Sequence, residues 1–131
     1  DFKVSQNNLN YLKGLFNDDW PSNLTYKQNI KDLELHVNDF EHNNNYAWVI
    51  ENDQKDYLGC CYYYPRITNN IIKSVDVYIW FDQKKIIKEH IDTNGFYDQF
   101  KKFILADNCS NMNIYLYTPE NKQEGNLPNS Y

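Results

Sequence analysis

The chain is 131 residues long with a mass of 15.8 kDa, the size of one domain. It carries 13 Lys+Arg against 18 Asp+Glu, for a formal net charge of −5 and a pI of ≈ 5.1, and an acidic chain without a basic stripe is a poor candidate for nonspecific nucleic-acid binding. Mean hydropathy is low at −0.82, yet 17% of the residues are aromatic, with 12 Tyr and 7 Phe, and that content excludes an intrinsically disordered chain.

The first element read from the sequence is a short amphipathic helix over residues 4–16, with Leu9, Leu12, Leu15 and Phe16 on its apolar side. The segment Asn17-Asp18-Asp19-Trp20-Pro21-Ser22 is a turn. A second helix starts behind Thr25, which with Gln28 forms a capping box: the hydroxyl accepts from a free amide and the Gln side chain reaches back. Tyr26, Ile30, Leu33, Val37 and Phe40 form its expected buried stripe, and the Asn-rich stretch near Glu41–Asn44 ends it.

The period then changes to that of strands. Tyr46–Glu51 is the first by its aromatic and β-branched content. A turn at Asn52–Lys55 leads into Tyr57–Tyr64, stopped by Pro65, and the short connection makes the two an antiparallel hairpin. After a polar loop, Arg66–Asn70, the third strand runs Ser74–Phe81. It is apolar on both faces except for Asp76, as in a central strand covered on both sides. Lys84–Ile91 reads as either a short helix or a loop. Thr93 or Asn94 caps a further helix with Phe96, Tyr97, Phe100, Phe103 and Ile104 buried. The last strand, Asn113–Thr118, ends at Pro119.

The order is α-α-β-β-β-α-β, without an internal repeat. It predicts a single α/β domain over residues 1–119, with a mixed sheet, helices on both faces and a closing parallel crossover, followed by a loose tail at 120–131. No apolar run approaches the ~20 residues that span a bilayer, and DFKVSQNN has no signal-peptide pattern. The chain does not begin with Met, which reads as a fragment. Cys60, Cys61 and Cys109 are a poor disulfide set, because strand neighbours point to opposite faces; reduced thiols in the cytoplasm are the expectation. The Asn-rich composition makes the sequons at Asn23 and Asn108 chance matches.

Several pieces in this order resemble the GNAT superfamily of N-acetyltransferases, in particular a small bacterial branch. They are Trp20-Pro21 with Leu24-Thr25, the helix end Asp32-Leu33-Glu34…His36…Asp39-Phe40, the strand Tyr46–Ile50, the run Leu58–Pro65, and the strand holding Asp76 and Trp80. The resemblance covers roughly residues 11–118. It implies a mostly antiparallel sheet with one splayed parallel pair, 74–81 and 113–118, and it implies acetyl-CoA in the cleft between those strands. The pantetheine arm would bond the strand edge at Ile79, Trp80 and Phe81. The pyrophosphate would rest on amides at the start of the next helix, near Gly95, with Lys84 and Lys85 supplying charge. Asp76 would act as base toward an amine acceptor and Tyr115 as acid. The family's first strand and its glycine-rich phosphate loop are not matched: Asp82–Gly95 holds one glycine.

Each candidate also has a plain structural reading. Asp76 can be bound to a neighbouring side chain, the lysines can form a solvated face, and Tyr115 and Tyr117 can simply pack. Tyr62-Tyr63-Tyr64 alternates faces, so one face can line an acceptor pocket while the other packs on a helix. His36, His42 and His90 fit no zinc spacing, and no metal is expected. Two functions follow: transfer of an acetyl group from acetyl-CoA to a small-molecule or peptide amine, or a catalytically degenerate binding or interaction module on the same fold. Neither involves a membrane or a nucleic acid.

Overall fold

A computed structural model describes residues 1–16, 18–42, 44–108 and 113–120. The helices are α1 (Phe2–Asn7), α2 (Leu9–Leu12), α3 (Tyr26–Glu41), α4 (Gln83–Lys88) and α5 (Thr93–Asn108); the strands are β1 (Tyr46–Glu51), β2 (Tyr57–Thr68), β3 (Ile71–Phe81) and β4 (Asn113–Tyr117). The sheet runs β1-β2-β3-β4, with antiparallel pairs except for the parallel pair β3–β4. The protein is thus a mixed α/β domain with a four-stranded mixed sheet. Among the described residues no helix is long and apolar enough to cross a membrane.

The expected helix over 4–16 is broken at Asn8. Its side-chain amide donates to the carbonyl of Val4 (2.9 Å) and to the Asp82 carboxylate (3.1 Å), and its carbonyl oxygen accepts the Gln83 N–H (3.0 Å). A side chain tied to a segment far along the chain cannot also continue a regular helix. The same contacts explain why 83–88 is helical, since Asp82 caps α4 by accepting the Lys84 N–H. In α3 the capping box is present in both directions: Thr25 accepts the Gln28 N–H and Gln28 accepts the Thr25 N–H.

The hairpin between β2 and β3 is longer than the sequence suggested. Pro65 does not stop β2, because β1 ends opposite Tyr63 and leaves nothing on that side to receive an N–H from residue 65. The strands continue to a two-residue turn at Asn69 and Asn70, whose φ values of 53° and 63° give the type I′ geometry that Asn tolerates. Helix α5 is capped by Asp92 rather than by Thr93 or Asn94: its carboxylate accepts the Gly95 N–H at 3.0 Å.

The sheet buries both faces. On one, Val75, Val77, Ile79 and Phe81 pack with Cys61 and Tyr63 against Phe96, Tyr97 and Phe100 of α5. On the other, Tyr78, Trp80, Cys60, Tyr62 and Tyr117 pack against Leu12, Leu15, Phe16 and Trp20. Leu12 and Leu15 are wholly buried, each contributing about 1.5–3 kcal/mol. As strand geometry requires, Cys60 and Cys61 fall in different clusters, and both are free thiols. Cys109, its sequon and residues 121–131 of the expected tail lie outside the described residues.

The stripe of α3 departs from expectation. Tyr26, Ile30, Leu33, Val37 and Phe40 are between 40% and 64% exposed rather than buried. The helix stands over β1 and β2 without closing on them, and its apolar side faces an open groove. Phe103, also expected in the core, is 58% exposed.

Candidate functional site

The turn after α2 carries two aromatic rings to the rim of the sheet. Asp18 accepts the Trp20 backbone N–H (3.0 Å), a local Asx bond, and Gln6 of α1 donates to the Pro21 carbonyl (3.0 Å). Phe16 and Trp20 meet edge to face at 5.2 Å, and Phe16 meets Tyr62 the same way at 5.3 Å. Tyr62 and Tyr64 lie stacked at 6.5 Å on one face of β2, while Tyr63 packs on Tyr46 and Trp48 on the opposite face.

Helix α3 closes this aromatic corner with a polar row. Asn29, Asp32 and His36 recur at steps of three and four, so they share one side of the helix. Together with Asp18, Phe16, Trp20 and the two tyrosines they line a hollow of ≈ 260 Å³. Asp18, Trp20 and Asp32 also border a neighbouring depression of ≈ 360 Å³, so its mouth is acidic.

Asn29 is only 5% exposed as a residue, and it lines the hollow beside the Asp32 carboxylate. Burial holds the His36 imidazole below its ordinary range, against the pull of Asp32 and Asp39, so it enters the hollow uncharged at neutral pH. Aromatic rings and the carboxylates of Asp1, Asp18 and Asp32, with no Lys or Arg in the lining, are the chemistry of an organic-cation site.

The sequence-derived candidates fall elsewhere. Register places Asp76 directly between Tyr64 of β2 and Tyr115 of β4. Its carboxylate is fully buried; it accepts from Arg66 Nε at 2.9 Å and from the Tyr117 hydroxyl at 3.4 Å. So placed, Asp76 does not meet a substrate in the hollow. Tyr115, at the outer edge of the sheet, is 38% exposed. Arg66, the partner of Asp76, carried no signal in the sequence because it lay in a segment read as a loop.

For acetyl-CoA, the relevant seam is paired from Ser74↔Asn113 to Tyr78↔Tyr117, and β3 then runs on through Ile79, Trp80 and Phe81 without partners on β4. A hollow of ≈ 430 Å³ lies beside it, between the start of α5 and the end of β4. None of Ile79, Trp80 and Phe81 lines that hollow; all three side chains are packed in the core. Its charged lining is Asp98, Lys101 and Glu120, a net negative set. Gly95, which was to approach the pyrophosphate, gives its N–H to Asp92, so a carboxylate already occupies the helix start. Lys85 turns to Asp56 at 4.0 Å, and Lys84 is exposed.

Cys60 lies between the Tyr57 and Tyr62 hydroxyls, and burial pushes its thiol up, as it does that of Cys61, so both stay protonated and unreactive. Among the described residues no three His, Cys, Asp or Glu side chains converge on a point that would hold a metal ion. No protein-family model matches this chain, and comparison with curated proteins and with solved structures finds no match.

Proposed function

We propose that this chain is a binding module on a GNAT-like α/β scaffold, and that its ligand is an organic ammonium ion held in the hollow between Trp20, Tyr62 and α3. The observation that carries this reading is the hollow's lining, where the carboxylates of Asp1, Asp18 and Asp32 and the Asn29 amide stand among Phe16, Trp20, Tyr62 and Tyr64. Trp20, Phe16 and Tyr64 line the hollow and bring aromatic rings to the cation. Asp32 and Asp18 supply the opposite charge at the mouth, and the Asn29 carbonyl oxygen accepts an N–H from the head group. The neutral His36 adds no repulsion.

The scaffold reading draws on the strand order, the parallel last pair and the overhang of β3. The absence of transfer chemistry is supported by the sealed Asp76 and by the carboxylate at the start of α5. Calorimetric titration with butylamine at pH 7.5 tests the proposal. Binding is expected, with Trp20→Ala and Asp32→Asn each weakening it by about 2–30-fold, the range for a ring or charge contact of roughly 0.5–2 kcal/mol. Equal affinity in the parent and both variants would remove the hollow from consideration.

A second reading, acetyl transfer from acetyl-CoA to an amine, is favoured by the β3 overhang and the hollow beside it. Under that reading millimolar CoA raises the melting temperature, and Lys84→Glu with Lys85→Glu abolishes the rise. No shift in the parent protein ends it.

A further inference from the structure

The cation hollow does not end at His36. Asp1, Leu33, His36 and Tyr62 line it on one side and line, on the other, a groove of ≈ 560 Å³ between α3 and the β1–β2 hairpin. The groove is walled by Val37 and Phe40 of α3 and by Trp48 and Val49 of β1. These four are 58%, 40%, 37% and 49% exposed, a contiguous apolar surface on a chain of otherwise low hydropathy. Water against that surface is unfavourable, and nothing in the fold of the described residues covers it.

Resting on the reading above, we propose that the ligand is a cationic amphiphile: a primary alkylammonium whose head enters the hollow at Asn29 and Asp32 and whose hydrocarbon tail lies in the groove along Val37, Phe40 and Trp48. Charge and apolar surface together set the direction. Asp18 and Asp32 line the hollow alone and Asp1 lies where the two spaces meet, so the positive end belongs there. The groove is bordered by one further carboxylate, Glu41, but its walls of Leu33, Val37, Phe40, Ala47, Trp48 and Val49 are apolar and continuous with the hollow, so the apolar end of the same molecule fills it. The neutral imidazole of His36 lies where the two parts join. A protonated histidine there would compete with the ammonium for Asp32.

Titration of the intact chain with methylamine, butylamine and octylamine, each below its micellar range, tests this, with octanol and octanoate as controls. Each added methylene tightens binding by up to about fourfold, the transfer free energy of a buried CH₂ expressed as an affinity ratio. Octylamine binds more tightly than octanol, and octanoate does not bind. Val37→Asn, an exposed position whose folding is verified by circular dichroism, brings the octylamine-to-butylamine affinity ratio toward one. Equal affinity for butylamine and octylamine overturns the tail assignment and leaves the ammonium reading standing. Failure of every amine to bind overturns the ammonium reading itself. Octanoate binding as tightly as octylamine overturns both the head assignment and the polarity of the groove. A dimer in sedimentation that the Val37→Asn variant dissociates, with no dependence on chain length, makes the groove an interface between copies and overturns the proposal.

Discussion

The buried ion pair between Arg66 and Asp76 gives the sharpest stability prediction. Asp76 is wholly buried, whereas the Arg66 side chain remains 29% exposed, so the carboxylate carries the larger desolvation penalty. Replacing Arg66 with Met keeps the aliphatic reach of the side chain and removes the charge. It leaves the carboxylate with the Tyr117 hydroxyl at 3.4 Å, a weak substitute. Breaking a buried pair from one side costs about 3–5 kcal/mol, and the partial exposure of Arg66 points to the lower end, about 3 kcal/mol. A domain of this size loses about 3–4 °C per kcal/mol, so Arg66→Met is expected to melt about 10 °C lower. The double variant Arg66→Met with Asp76→Leu removes the stranded charge as well and should regain more than half of that loss. Thermal unfolding followed by circular dichroism reads both. A single variant within 1 °C of the parent, or a double variant no better than the single, would refute the reasoning.

Gly59→Ala is expected to destabilise by several kcal/mol in urea unfolding. An ideal Cβ there lies 2.1 Å from the Trp80 carbonyl oxygen and 2.8 Å from the Phe81 Cα, and β2 cannot move away from β3 without losing its pairing. Asn70→Gly should stabilise by about 0.5–1 kcal/mol in the same assay, because φ at 70 is 63° and glycine adopts that conformation without a Cβ penalty. Burial lowers the folded-state pKa of His36 from 6.5, so the unfolded chain takes up the proton first. The His36 contribution to stability is therefore fully present above about pH 6.5 and falls as the pH drops below it; His36→Gln should make the unfolding free energy less steep between pH 7.5 and 5.5. An unchanged slope contradicts that placement of His36.

What could be read from the sequence is what depends on neighbours in the chain. The Thr25–Gln28 capping box and the bounds of β1 are local signals, and they match the structure. The split of Cys60 and Cys61 between two faces follows from strand alternation alone. Elements misread were those decided at a distance. Asn8 leaves the first helix because Asp82 and Gln83 recruit it, and no window around residue 8 contains that fact. Pro65 stays in its strand because β1 has already ended on the side it faces. The Asn69-Asn70 pair was a legible turn signal, obscured by the polar residues around it.

The site follows the same division. Alternation in Tyr62-Tyr63-Tyr64 marks one face for a pocket, and Tyr62 and Tyr64 do line the hollow. Asn29, Asp32 and His36 at helical spacing were a visible polar row, overshadowed by the apolar stripe beside them. That Asn29 is buried follows only from how α3 stands over the sheet. Asp76 drew notice as a lone charge in an apolar strand, and its actual partner, Arg66, comes from the opposing strand of the hairpin.

The most direct test of the account is an amide and indole ¹H–¹⁵N spectrum recorded during titration with butylamine and, separately, with acetyl-CoA. The account predicts that butylamine moves the Trp20 indole resonance and the amides around Asn29 and Asp32, while acetyl-CoA leaves the start of α5 unmoved. Shifts from acetyl-CoA at Gly95 and Tyr97, with none from butylamine at Trp20, would contradict it.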